Sequence, residues 1–109
     1  MEELHKDNFD EIVLGSKGLF LVDFWSEACE ECQDIIPRIE ELEKDFSGKA
    51  RFGSLNIKGN RRLAIREKVL GLPTVLIYSD GEKAASFIRE FSVDEVKAKL
   101  EELEELTAR

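Results

Sequence analysis

The sequence predicts an α/β domain in which a small mixed sheet of four to five strands is flanked by four helices on its two faces. Two observations predict it. Apolar runs of strand length alternate with segments of helical periodicity, and the last two such runs are joined by Asp80-Gly81, a strong tight-turn dipeptide. Strands that alternate with helices imply parallel pairing through right-handed crossovers, and the hairpin adds an antiparallel edge. A length of 109 residues is that of one domain, so residues 1–109 read as a single unit with a core that needs no staples.

Each element has its own signature. DNFDEIVLGSKG carries Phe9, Ile12 and Val13 at helical spacing behind cap-type residues and ends at Gly15 and Gly18, the pattern of a short amphipathic helix. Leu19–Trp25 is almost continuously apolar, as in a strand covered on both faces. From Glu30 to about Phe46, the residues Cys32, Ile35, Ile36, Ile39, Leu42 and Phe46 recur at helical steps, giving a long helix in which Pro37 predicts a kink. ARFGSLNI (50–57) is a second strand, and NRRLAIREKVL (60–70) a helix opened by Asn60 and closed by Gly71. TVLIYS (74–79) is a third strand, on which KAASFIRE (83–90) pairs back as a fourth. SVDEVKAKLEELEEL (92–106) opens with Ser92 and Glu95 in capping-box spacing and carries an apolar stripe of Val93, Val96, Leu100 and Leu103.

Charge and hydropathy narrow the function. The chain has 24 acidic and 16 basic residues, a formal charge of −8, and no basic cluster beyond Arg61-Arg62, so nucleic acid and anionic membranes are not expected partners. The excess negative charge reads as a solubility device. No apolar run exceeds four residues, as in Leu19–Val22, against the roughly 20 that a membrane-spanning helix needs. The acidic start MEELHKDNFDE has no apolar h-region, so a cytoplasmic address is expected, where paired cysteines serve catalysis or metal binding rather than a structural staple.

Those cysteines are Cys29 and Cys32 in ACEEC, at the junction between the first strand and the long helix. A sulfur at Cys29 meets the unpaired N–H groups and positive dipole end of the helix, which favour the thiolate, the species that attacks disulfides. Lowering a thiol pKa from about 8.5 to about 7 raises the thiolate fraction at neutral pH roughly 15-fold. A Brønsted slope near 0.45 returns roughly 5-fold of that in lost nucleophilicity, leaving a net gain of about threefold. Activation alone is modest. A second thiol three residues on, which makes the next attack intramolecular, has to carry much of the advantage. The pattern is that of a redox pair beside a βαβ unit. A metal centre remains as an alternative, but zinc needs about four N or S ligands, and this chain supplies two Cys and one His, His5, so two chains would have to share it. Inert cysteines are the third reading.

Asp23 lies inside the apolar strand, between LFLV and FW. Its alternative reading is a strand that ends early and leaves the carboxylate solvated. Buried, the carboxylate is desolvated, its pKa rises toward neutrality, and it becomes a plausible proton acceptor for a nearby thiol.

With these residues in place, the chain from about Asn8 to Leu106 resembles the thioredoxin family. LVDFWSEACEEC follows the family's strand, aspartate, tryptophan and redox cysteines in order; LGLPT follows the loop that faces the cysteines; YSDGE follows the hairpin, and Pro37 the helix proline. The resemblance implies a thioredoxin-like fold and a dithiol–disulfide oxidoreductase, a protein-disulfide reductant and electron carrier that uses no cofactor other than its Cys29–Cys32 pair and no metal. Cys29 is implied as nucleophile, Cys32 as the resolving thiol and Asp23 as its proton relay, with Trp25 packed beneath the site. Pro73 is implied to be cis and the backbone of Leu72 to pair with an extended substrate segment. The implied partners are protein disulfide substrates and a thioredoxin reductase or other upstream electron donor; a monomer is expected.

The departures are as informative. Where the family usually carries WCGPC, this chain has ACEEC: Ala28 removes a surface aromatic from the partner-binding rim, and Glu30 and Glu31 set negative charge beside a developing thiolate. Ser54 stands where the family often has a lysine near the aspartate, and Arg89 where it has a groove glycine. These changes suggest a restricted partner set. Two other readings stay open: an interaction module whose cysteines are not cycled, with Glu101, Glu102, Glu104 and Glu105 facing a basic partner, and a disulfide oxidase or isomerase. The glutamates predict a higher Cys29 pKa and a more reducing disulfide than a Gly-Pro pair gives. Glu30→Gly with Glu31→Pro should therefore raise the potential, on the order of 30 mV per tenfold change in thiol acidity. Equilibration with dithiothreitol measures it, and an unchanged or lower potential contradicts the reading.

Overall fold

The computed structural model of the chain describes residues 1–107. The chain runs through β1 (Glu2–Leu4), a π-helical turn (Asp10–Leu14), β2 (Leu19–Trp25), α1 (Glu30–Asp45), β3 (Ala50–Asn56), α2 (Arg61–Arg66), β4 (Thr74–Ser79), β5 (Glu82–Ile88) and α3 (Val93–Thr107). The strands form one mixed sheet in the order β1-β3-β2-β4-β5. β3 pairs in parallel with both β1 and β2, whereas β4 runs antiparallel to β2 and to β5.

β2 occupies the centre because it can be covered on both faces: every residue from Leu19 to Phe24 is buried. Alternate side chains divide between two cores. Phe20, Val22 and Phe24 pack with Phe9, Val13, Leu63 and Tyr78 beneath the π-helical turn and α2. Leu19 and Leu21 pack with Ile39, Leu42, Phe46, Val96 and Leu100 beneath α1 and α3. Asp23 shares the second parity, so its carboxyl belongs to the face that α1 and α3 cover.

Four features depart from the sequence reading. Glu2–Leu4 adds an edge strand beside β3, placed by the burial of Leu4 rather than by any run of apolar residues. The first helix is a five-residue π-helical turn, which makes it the fourth helical element beside three α-helices. α2 stops at Arg66, since Lys68 takes a left-handed φ of 64°, and Asn60 opens it without capping it. The Asn60 amide is engaged elsewhere, accepting from Lys6 N–H at 2.7 Å and donating to the Asn56 carbonyl at 2.8 Å. The connection into β4 also does not return the chain in parallel. β4 starts at the end of the sheet where β3 finished, since Trp25 of β2 pairs with Asn56 and its neighbour Phe24 with Thr74.

The hairpin and the last helix form as their sequences require. Asp80 and Gly81 both take positive φ, 51° and 82°, the conformation of a two-residue hairpin turn. The Asp80 carboxylate also accepts from Gly18 N–H at 2.7 Å, tying the turn to the start of β2. At α3, Glu95 N–H donates to Ser92 Oγ at 3.2 Å and Ser92 N–H to Glu95 Oε1 at 3.3 Å, a reciprocal capping box. Pro37 lies exposed within α1. No helix among the described residues is long and apolar enough to cross a membrane.

Candidate active site

The register of the sheet gathers the candidate residues at one end. Phe24 of β2 faces Thr74, the first residue of β4, and Thr74 faces Ile88, the last of β5. The chain leaving β2 through Trp25, the chain entering β4 through Leu72-Pro73, and the chain leaving β5 into Arg89 therefore meet at the same edge.

Beyond Trp25, which is half-buried, a short loop turns into α1. Cys29 N–H donates to the Ser26 carbonyl at 3.2 Å, and the Gln33 side-chain amide donates to the same carbonyl at 3.2 Å, fixing the loop from both sides. Cys29 is the N-cap of α1, with extended φ and ψ of −93° and 101°. Its sulfur takes the capping role usually filled by a side-chain oxygen, accepting the Cys32 N–H at 3.1 Å. The two cysteines form a disulfide, with Cα atoms 5.2 Å apart. They are not equivalent: Cys29 keeps access to solvent, whereas Cys32 is 0% exposed. Its sequence neighbours Ala28, Glu30 and Glu31 are exposed.

Asp23 is 0% exposed, and among the described residues neither carboxyl oxygen has a hydrogen-bond partner. Burial pushes its pKa from 3.8 up to about 7. Among the described residues, no cation offsets that cost. The residue opposite it on β3 is Ser54.

The Leu72–Pro73 peptide bond is cis, with Pro73 buried and Leu72 half-buried. Thr74 Oγ1 donates to the Gly71 carbonyl at 2.6 Å, and Arg89 N–H to the Pro73 carbonyl at 2.8 Å. Arg89 adopts a left-handed φ of 63°, a conformation that glycine takes without a Cβ penalty and an arginine does not. Its side chain lies across Gly71 so closely that a Cβ there would collide with the guanidinium.

The sequence reading missed a cavity of about 200 Å³ next to this loop, lined by Ile57, Arg61, Ala64, Ile65, Val69, Leu70, Gly71 and Leu72. Ile65 and Leu70 on its rim are 64% and 73% exposed. The signal was present in the Arg61-Arg62 doublet and in two aliphatics that a helix through Leu70 would not have left outward. Among the described residues, no group of three or more His, Cys, Asp or Glu side chains is arranged to hold a metal ion.

Comparison with known proteins identifies a family and relatives by sequence. A family model described as Thioredoxin matches residues 1–102. A thioredoxin of Acetoanaerobium sticklandii is 51% identical over 90 residues, covering 83% of this chain and 86% of that protein. One from Peptoclostridium acidaminophilum is 43% identical over 81 residues, 74% of each chain, and one from Buchnera aphidicola is 39% identical over 100 residues, covering 92% and 93%.

The buried carboxyl makes a prediction about stability. Folding raises the Asp23 pKa, so the native state holds this proton more tightly than the unfolded chain. Stability is thus full below about pH 4 and falls as pH rises through about 7. A rise of about three units corresponds to about 4 kcal/mol. Asp23→Asn should therefore stabilise the oxidised protein by a few kcal/mol in urea at pH 9 and much less at pH 4. An equal gain at both values would contradict this assignment.

Proposed function

The chain belongs to the thioredoxin family, and from that premise we propose how its site works. It is a dithiol–disulfide oxidoreductase with protein-disulfide reductase activity, acting on protein disulfides and re-reduced by a reductase partner. We assign the first step to Cys29. Its thiolate attacks one sulfur of a substrate disulfide, forming a mixed disulfide and releasing the other sulfur as a thiol once protonated. Cys32 then gives its proton to the Asp23 carboxylate, and the resulting thiolate attacks Cys29. That step restores the Cys29–Cys32 disulfide and releases the second substrate thiol. Two electrons pass to the substrate, and an upstream donor, a thioredoxin reductase or an equivalent, returns them.

The observation that carries this reading is the asymmetry of the two cysteines: one only half-buried and its sulfur held by a backbone N–H at the head of α1, the other fully buried. An exposed sulfur is the one a bulky protein disulfide reaches, and a buried one is held for the intramolecular step. An Asp23 pKa of about 7 supports the relay, because a group poised near neutrality both takes and returns a proton at working pH. Leu72 is proposed to offer its backbone to an extended substrate segment, with Trp25 supporting the site from below.

The rim supports a narrower role than that of a general reductant. Ala28 presents no aromatic, and Glu30, Glu31 and Arg89 bring charge to a surface that must meet partners. We therefore place the protein as a monomeric cytoplasmic electron carrier in redox homeostasis, serving a restricted set of partners. With dithiothreitol as electron source, the wild type should accelerate insulin reduction, more slowly than the same chain with Trp-Cys-Gly-Pro-Cys at residues 28–32. Cys29→Ser should abolish the acceleration, and Cys32→Ser should accumulate a covalent adduct through Cys29. Insulin reduction that survives Cys29→Ser would overturn the mechanism. Insulin activity equal to that of the Trp-Cys-Gly-Pro-Cys chain would overturn the restricted role.

A further inference from the structure

The described arginines fall into two groups. Arg38, Arg51 and Arg66 each meet a carboxylate, at Asp94, Glu2 and Asp10. Arg61, Arg62 and Arg89 are exposed, and among the described residues none of the three is paired with a carboxylate. In a chain with 24 acidic residues to 16 basic ones, half of the described guanidiniums thus stand without a carboxylate. Two of these three border one apolar feature. Arg61 lines the cavity between α2 and the segment Leu70–Leu72. Arg89 lies across Gly71 from the other side, its guanidinium 3.4 Å from the Leu70 carbonyl.

Between them stand the outward aliphatics Ile65 and Leu70, more exposed than a folded chain gains from leaving them. The cavity is open to solvent and shares Leu72 with the loop that we assign to substrate backbone pairing. Its chemistry is thus opposite to the other flank of the site, where Glu27, Glu30 and Glu31 are exposed around Cys29.

We propose that this cavity is a specificity pocket for the partner protein: it takes an acidic–aliphatic segment next to the partner's reactive cysteine. An aliphatic side chain of the partner fills the space between Ile65 and Leu70, and its carboxylates meet Arg61 and Arg89. Arginine suits the role because its planar fork grips a carboxylate with two parallel hydrogen bonds. This inference rests on the disulfide-reductase reading, since it names the partner class for the same site.

Net charge and the glutamates around Cys29 argue for the opposite preference, which makes the test sharp. The probes are two synthetic disulfide-bridged peptides, identical except that Glu-Leu-Glu in one replaces Lys-Leu-Lys in the other beside the cysteine. The reduced wild type should reduce the acidic peptide about fivefold faster at low ionic strength, as two partly exposed charge pairs would give. The ratio should approach one near 1 M salt, where screening acts within about 3 Å. Arg61→Glu should lower or invert the ratio, and because both rates come from one protein, a variant that is merely less active leaves the ratio unmoved. Equal rates, or faster reduction of the basic peptide by the wild type, would overturn the proposal. Bis(2-hydroxyethyl) disulfide, small and uncharged, separates the two levels: if the wild type fails to reduce it, the reductase reading falls and this inference with it.

Discussion

The burial of β2 on both faces is the constraint on which the other features rest. Five apolar residues of this strand, Leu19, Phe20, Leu21, Val22 and Phe24, are at most 3% exposed. At roughly 2 kcal/mol for each fully buried side chain, they contribute on the order of 10 kcal/mol. The carboxyl of Asp23 in the same strand, lacking any partner, costs about 4 kcal/mol when ionised. Burial wins, and a destabilising group is retained next to the helix that carries the cysteines.

The same strand sets the position of the sulfur. Its register with β4 brings the loop after Trp25 beside Leu72-Pro73, and the register of β4 with β5 adds Arg89. Cys29 then caps α1 with its own side chain, so the Cys32 N–H that would otherwise seek a polar cap meets the Cys29 sulfur. One helical turn orders the site: sulfur outside at Cys29, sulfur inside at Cys32. Charge is then distributed around it, glutamates on the α1 side and unpaired arginines on the α2 side.

Much of this was legible from residue order. β2 and β4 were readable to the residue because each is a short apolar run bounded by turn residues, and the Asp80-Gly81 hairpin and the Ser92–Glu95 capping box follow from local chemistry alone. The cysteine pair and Asp23 stood out because each breaks the pattern around it. What was not legible depends on contacts distant in sequence. Glu2–Leu4 has no strand signature and becomes one only because β3 offers an edge with room for Leu4: a Cβ at Gly53 would meet the Leu4 side chain. The direction of β4 is set by its antiparallel pairing with β2 and β5, which the strand pattern does not announce. The cavity beside Leu72 arises where α2 stops early, at a left-handed Lys68 that the periodicity of NRRLAIREKVL does not announce.

The division between an accessible and an enclosed sulfur is the most direct point of test. Brief treatment of the reduced protein with iodoacetamide at neutral pH, followed by peptide mass mapping, reads which thiol is alkylated. The account predicts modification at Cys29 with Cys32 protected until the protein is unfolded. Comparable labelling of both cysteines, or labelling of Cys32 first, would contradict it.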